Sequence, residues 1–198
     1  MAAPLLLHTL RHDTNAMHRT LYVLVYPSRL FAAHWSFWLP HTDDSNQQLN
    51  TGDRIHVTGD RLNGFQYEYI RNYDVCEDDR NPNAFPIGLV SETHLTQANK
   101  DQTAISSDEG QRDSENIVMN QFDEACREVP APGPSLNKVN RDAGGVAGLP
   151  SKRTEVRDCQ WWVKEATSHL VQRGILLPLN EGHEEETPIL RVDSLPRH

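Results

Sequence analysis

LYVLVY, the run from Leu21 to Tyr26, decides the fold predicted for this chain. Its aliphatic, β-branched and aromatic residues, closed by Pro27, are typical of a buried strand. The run AHWSFWL at Ala33–Leu39, ended by Pro40, predicts a second strand. Three further strands are predicted from alternating or short apolar runs, at Arg54–Thr58, Phe65–Tyr73 and Ile87–Val90.

The connections between these runs are mostly short and rich in turn residues, whereas His41–Gly52 is predicted to be a longer polar loop. Tight connections join antiparallel strands, because parallel neighbours need a crossover of about a dozen residues or more. Apolar residues at helical spacing predict two helices, over Ser114–Glu128 and Thr154–Arg173. The predicted fold class is therefore α+β, with an antiparallel sheet of about five strands packed against two helices.

The predicted organisation is a single domain that spans residues 20–179. Residues 1–19 are predicted to be a flexible arm, and residues 180–198 an acidic tail with little to bury. Residues 97–113 and 137–151 are polar or rich in Gly, Asn and Pro, which predicts disordered insertions. A hydrophobic fraction of 37% and a mean hydropathy of -0.65 agree with a chain that is partly loop and tail.

The composition excludes several classes of function. A formal net charge of -9 argues against binding nucleic acid or an anionic membrane through a basic surface. No apolar run is long enough for a signal peptide or a membrane span. Cys76, Cys126 and Cys159 are an odd set without framework spacing, which favours free thiols in a reducing compartment and a cytoplasmic location. The sequence has no zinc-ligand spacing and no phosphate loop, so we expect no metal and no cofactor, and the oligomeric state stays open.

Cys159 is the candidate nucleophile, because it lies at the predicted start of the second helix. The unpaired N–H groups and the dipole of a helix N-terminus favour the thiolate and can hold an oxyanion. His34 and His56 lie within predicted strands, and a histidine is the usual base for a cysteine nucleophile. Strand alternation places Ser36 and Trp38 on the same face as His34.

The order of these residues, with histidine strands before a cysteine helix, is the reverse of the papain order. The segment Asp158–Val163 (DCQWWV) resembles the Asn-Cys-Glu-His-Phe-Val motif of the lecithin:retinol acyltransferase type of circularly permuted papain-like thiol hydrolases and acyltransferases. Ala33–Ser36 and Asp53–Val57 resemble the strands that carry the two histidines of that family. The chain departs from the family pattern at Gln160 and Trp161, which replace an acidic residue and a histidine.

The resemblance implies a permuted papain-like fold and acyl-transfer chemistry. Cys159 would attack an amide, ester or thioester and form an acyl-thioenzyme, and His34 would take the thiol proton and return it to the leaving group. His56 would orient His34. The expected substrate is a small-molecule or peptide-like acyl compound, and the residues expected to contact it are Ser36, Trp38, Gln160 and Trp161.

Other interpretations of the same residues stay open. Free cysteine is among the most buried residue types, and Cys159 lies on the apolar stripe of its predicted helix, so it is equally a candidate for core packing. One alternative function is therefore a non-catalytic binding or scaffold module of the same fold. Another is a cyclase or tailoring enzyme that uses the pocket without the thiol.

Overall fold

One antiparallel sheet and three α-helices form the part of the chain that the computed structural model describes. That part comprises residues 17–28, 31–43, 45, 47–96, 112–113, 118–135, 157–180 and 186–198. The sheet order is β6-β4-β3-β2-β1-β5-β7. The strands are β1 (His18–Tyr26), β2 (His34–Thr42), β3 (Gln48–Asp60), β4 (Gly64–Asp74), β5 (Asn83–Ser91), β6 (Arg112–Asp113) and β7 (Leu176–Leu177). The helices are α1 (Gln121–Arg127), α2 (Cys159–Gln172) and α3 (Pro188–Asp193).

The main core lies between the sheet and the helices. Alternate residues of the central strands point into it, among them Trp35 and Phe37 of β2 and Ile55 of β3. Trp162 of α2 packs on Phe37 with 5.7 Å between ring centroids, and its Nε1–H donates to the carbonyl oxygen of Val129 at 2.9 Å. This core fixes which face of the sheet the helices cover.

The second face of the sheet carries a smaller cluster of buried side chains. Leu24, Tyr26 and Trp38 form it, and Tyr73 and Val75 pack against them. The β4–β5 connection, residues 75–82, contributes to this face, and we call it the cover segment. The sheet is therefore buried on both faces over its central strands.

Helix α2 begins where the side chain of Asp158 caps it. The Asp158 carboxylate accepts hydrogen bonds from the backbone N–H groups of Gln160 and Trp161, at 3.1 and 3.2 Å. It also pairs with Arg61 at 2.9 Å, which ties the start of the helix to the β3–β4 turn. Gly174, with φ of +68°, follows the helix at its C-terminal end, where a left-handed residue is common.

The α+β class, the antiparallel arrangement and all five predicted strands are confirmed, but several boundaries are wrong. Strand β2 continues through Pro40 to Thr42, because the register shifts between Pro40 and Thr42 and the missing N–H is accommodated there. Residues 48–52, predicted to be loop, belong to β3 and extend the hairpin. The sheet has seven strands rather than about five in the described residues, because β6 and β7 add two-residue pairings at its edges.

The predicted helix boundaries also shift. The Asn120 side chain caps α1 by accepting from the N–H of Asp123 at 2.8 Å, so that helix begins at Gln121 rather than Ser114. Cys159 rather than Thr154 is the first residue of α2. A third helix, α3, joins the two that the sequence predicts.

Parts of the predicted arm and tail have regular structure. Residues 180–198 are not a tail throughout, because α3 packs on α2 and β5 and buries Val192 and Leu195 in the main core. His18 and Arg19, assigned to the N-terminal arm, begin β1, and the remaining arm residues 1–16 lie outside the described residues. Most of the two predicted insertions, residues 97–111 and 137–151, also lies outside them.

Candidate functional site

Cys159 and the two histidines lie on opposite faces of the sheet. Cys159 belongs to the main core with Trp35 and Phe37, on the face that the helices cover. His34 precedes Trp35 in β2, and its ring contacts the ring of His56 on the second face. The structure therefore brings His34 and His56 together and does not bring them to Cys159.

The surroundings of Cys159 keep its thiol protonated. Burial raises the pKa of this thiol to about 11, and the negative charge of Asp158 adds to the rise. Backbone N–H groups, foremost that of Trp35, act in the opposite direction without overcoming burial. The helix N-terminus was predicted to lower the pKa of the thiol. Burial in the apolar core and the charge of Asp158, which caps the helix, outweigh that effect.

His34, His56 and Glu68 form a hydrogen-bonded chain across three strands. Nε2 of His34 lies 2.9 Å from Nδ1 of His56, and Nε2 of His56 lies 3.2 Å from a carboxylate oxygen of Glu68. An ionised carboxylate only accepts, so a neutral His56 carries its proton on Nε2 and accepts from Nε2–H of His34. In this arrangement Nδ1 of a neutral His34 carries no proton. It can therefore act as a base or as a hydrogen-bond acceptor.

The electrostatic environment keeps His34 neutral at ordinary pH. Burial is the main cause that lowers its pKa to about 4, and the positive charges of Arg54 and Arg80 contribute to that decrease. A neutral imidazole at pH 7 can accept a proton or a hydrogen bond through its bare nitrogen.

Arg54 is the most unusual residue of the second face, because it is a buried cation that forms no ion pair within the described part of the chain, although the charge of Asp78 acts on it. It is 4% exposed, and its Nε–H donates to Oγ of Ser36 at 3.2 Å. Its guanidinium lies 4.8 Å from the ring centroid of Tyr26 and 5.1 Å from that of Tyr73. Burial lowers the pKa of Arg54, and its buried Nη2 has no hydrogen-bond partner.

Trp38 lies beside Arg54, because the two residues are directly paired in the register of β2 and β3. Trp38 is 3% exposed, and its Nε1–H is buried without a hydrogen-bond acceptor. Its ring lies 5.5 Å from the ring of Tyr22. Ser36 and Trp38, both predicted to contact substrate, are thus gathered with the histidines and Arg54 into one site, which we call the polar face.

Gln160 and Trp161, the other two residues predicted to contact substrate, lie on the helix side. The Gln160 amide donates to the carbonyl oxygens of Ala33 and Arg197, at 2.9 and 3.1 Å, and so joins α2 to β2 and to residues beyond α3. Trp161 is half-buried against the main core, with the Arg157 guanidinium 4.8 Å from its ring centroid. Both side chains therefore have structural contacts away from the polar face.

The cover segment packs against the tyrosines that surround the Arg54 guanidinium. Its Asp78 accepts a hydrogen bond from the Tyr73 hydroxyl and pairs with Arg80, whose guanidinium lies 4.3 Å from the Tyr26 ring centroid. Tyr73 and Asp78 also border a pocket of about 580 Å³ beside the polar face. The other residues lining this pocket are Thr51, Ile70, Asn72, Asp74 and Glu77.

A family model matches residues 21–177, which is well over half of the chain. The chain belongs to DUF6540, a family of unknown function. The comparisons with curated proteins and with solved structures returned no match. The DUF6540 match begins in β1 and ends in β7, so it includes the polar face, the cover segment and Cys159.

The described part of this DUF6540 chain lacks two features. Among those residues no group of three or more His, Cys, Asp or Glu side chains is arranged to hold a metal ion. No helix in the same residues has the length and apolar character needed to cross a bilayer.

Sequence reasoning missed Arg54 and Glu68 as site residues of this DUF6540 chain. Alternation does place Arg54 on the His56 face of β3, and a charged residue inside an otherwise apolar strand is a usable signal. Glu68 gave no such signal, because it is one of several polar residues in an alternating run. Its position opposite His56 depends on the register of β3 and β4.

Proposed function

We propose that this chain is a small-molecule recognition domain whose working surface is the polar face and whose Cys159 is not a nucleophile. One observation carries the proposal: the ring of His34 and the thiol of Cys159 lie on opposite faces of β2. A base must come within hydrogen-bond reach of the proton that it abstracts, directly or through one water. A thiol with a pKa of about 11 is also almost entirely protonated at neutral pH.

The proposal includes the relationship of the scaffold to other folds. We propose a permuted papain-like scaffold in which the cysteine position at the helix start is retained for packing. The chain order of strands followed by the helix that begins at Cys159 supports this, as does the packing of Cys159 with Trp35 in the main core. His34, which retains an unprotonated nitrogen when neutral, allows acid–base chemistry at the polar face without the thiol.

Competitive alkylation with iodoacetamide tests the proposal. Cys76 is exposed, whereas Cys126 and Cys159 are buried. At pH 8 a thiol with a pKa of about 11 is ionised in about one molecule in a thousand. We expect the native full-length chain to be labelled at Cys76 first, and the Cys76→Ser variant to take up almost no label over the same period.

The site of labelling, read by peptide mass spectrometry, decides between the two functions. Cys159 labelled ahead of Cys76 would refute the proposal and restore the thiol hydrolase or acyltransferase. A Cys159→Ser variant is the matched control, because it keeps a small polar side chain at the helix start. Any activity or ligand binding of the native chain should survive in this variant.

A further inference from the structure

We infer that the polar face binds the carboxylate of a small, flat organic acid between Arg54 and Trp38, beneath the cover segment. This inference names the ligand class of the proposed function and rests on it. The indole Nε1–H of Trp38 and the Nη2–H group of Arg54 are the donors, and the two carboxylate oxygens are the acceptors.

Two buried donors without acceptors belong to paired residues of β2 and β3. Most buried polar groups in proteins are hydrogen-bonded, because an unpaired donor loses its water without compensation. Trp38 Nε1 and Arg54 Nη2 are both unpaired, on side chains that face each other across β2 and β3. Side chains at such paired positions are neighbours on one face of the sheet, so a single acceptor group can serve both.

The charges around Arg54 are only partly balanced. Arg54 and Arg80 both lie against the Tyr26 ring, and Asp78 pairs with Arg80. The Glu68 carboxylate is engaged by His56. Among the described residues Arg54 has no ion pair, and the Asp78 charge that acts on it is shared with Arg80. The desolvated Arg54 cation is therefore only partly balanced, and an anion of one charge would complete the balance.

The side chains around the two donors favour one kind of anion. The rings of Tyr26, Tyr73 and Trp38 offer apolar, flat surfaces around the two donors, which favours an aromatic or planar body on the acid. The acidic residues of the adjoining pocket, Asp74 and Glu77, oppose a second negative charge. A monoanionic carboxylate fits these conditions better than phosphate, much of which carries a second negative charge at neutral pH.

The cover segment gives such a ligand a route to the donors. The donors are closed from solvent while Asp78 bonds to Tyr73 and Arg80 rests on Tyr26. Both contacts join the cover segment to the sheet side, so breaking them lifts residues 75–82 and opens the polar face towards the neighbouring pocket. Binding then requires opening, and we expect association slower than for a preformed open site.

Titration calorimetry of the full-length chain at pH 7 tests the inference, with three probes at equal ionic strength. Sodium benzoate is the probe acid, benzamide is its neutral analogue of the same shape, and sodium phosphate is the alternative oxyanion. We expect saturable binding of benzoate alone, with a rise in Tm. No saturable benzoate binding, or equal binding of benzamide or phosphate, would overturn the carboxylate assignment.

Two variants locate the site. Trp38→Phe keeps the ring and removes only the Nε1–H, so we expect it to weaken benzoate binding about tenfold or more. Trp161→Phe is the matched control on the other side of the sheet and should bind as the native chain does. Unchanged affinity in Trp38→Phe overturns the site. Arg54→Gln should abolish binding, and circular dichroism checks that this variant is folded.

The two proposals fail separately. Alkylation measures the reactivity of the Cys159 thiol in the main core. Calorimetry measures ligand binding to Trp38 and Arg54 on the opposite face. Slow alkylation of Cys159 without benzoate binding refutes the ligand class and leaves the recognition domain standing. Fast alkylation of Cys159 refutes the recognition domain itself.

Discussion

Acid should destabilise this fold through one histidine in particular. Burial and two nearby guanidinium groups lower the pKa of His34 from 6.5 to about 4. The unfolded chain therefore binds a proton at this side chain more readily than the folded chain does. The contribution of neutral His34 to the free energy of unfolding is fully present above pH 6.5, the pKa in the unfolded chain. It is lost progressively as the pH falls from 6.5 to about 4, the pKa in the folded chain. From these two pKa values we expect a loss of about 2 kcal/mol by pH 5 and about 3 kcal/mol by pH 4.

Urea unfolding curves at pH 7, 6, 5 and 4 measure this loss. Carboxylates also titrate in the lower part of this range, so the native chain is compared with His34→Gln, which has no imidazole at this position. The difference in unfolding free energy between the two proteins should fall by about 3 kcal/mol between pH 7 and pH 4. Parallel pH profiles for the two proteins would show that His34 is not held neutral, and would contradict the environment described for the polar face.

Two further predictions concern the scaffold. Gly59→Ala should destabilise the fold by about 1–3 kcal/mol or more, because Gly59 has a φ of +142° and a Cβ there would lie 2.2 Å from the Gly64 carbonyl oxygen. Gly133→Ala, with no atom within 4 Å of the added carbon, is the control, and equal Tm values for the two variants would contradict this reasoning. Leu195→Ala should cost about 2–3 kcal/mol in urea unfolding, because Leu195 belongs to the main core. Leu190→Ala, at a side chain that is 50% exposed, should cost about 0.5 kcal/mol or less, and a similar cost for both variants would show that α3 is not docked.

Local pattern was sufficient to predict the strands and the two faces of β2. The alternation that separates Trp35 and Phe37 from His34, Ser36 and Trp38 is a property of any strand, so the structure follows it. The choice of face for α2 is not local. It depends on Trp162 packing against Phe37, a contact between residues 125 positions apart in the sequence, and the thiol prediction was made without it.

The C-terminal region shows a second limit of sequence pattern. The acidic residues before Thr187 led to the prediction of a tail where the structure has the short helix α3. Thr187 followed by Pro188 is nevertheless a recognisable helix start. A helix of six residues has too few apolar positions to reveal its period, so burial of Val192 and Leu195 depends on the docking site that α2 and β5 provide. Arg54 and Glu68 were not predicted as site residues for a related reason. Their partners depend on the register between neighbouring strands, which local pattern does not give.

The distribution of tryptophans over the two faces has a spectroscopic consequence. The chain has four tryptophans, and all of them lie in described residues. Trp35, Trp161 and Trp162 belong to or pack against the main core, while Trp38 alone lies on the second face. A chain with phenylalanine at the three core positions would keep a single indole fluorophore beside Arg54. Its emission would report the polarity and water content of the closed polar face directly, independently of events around Cys159.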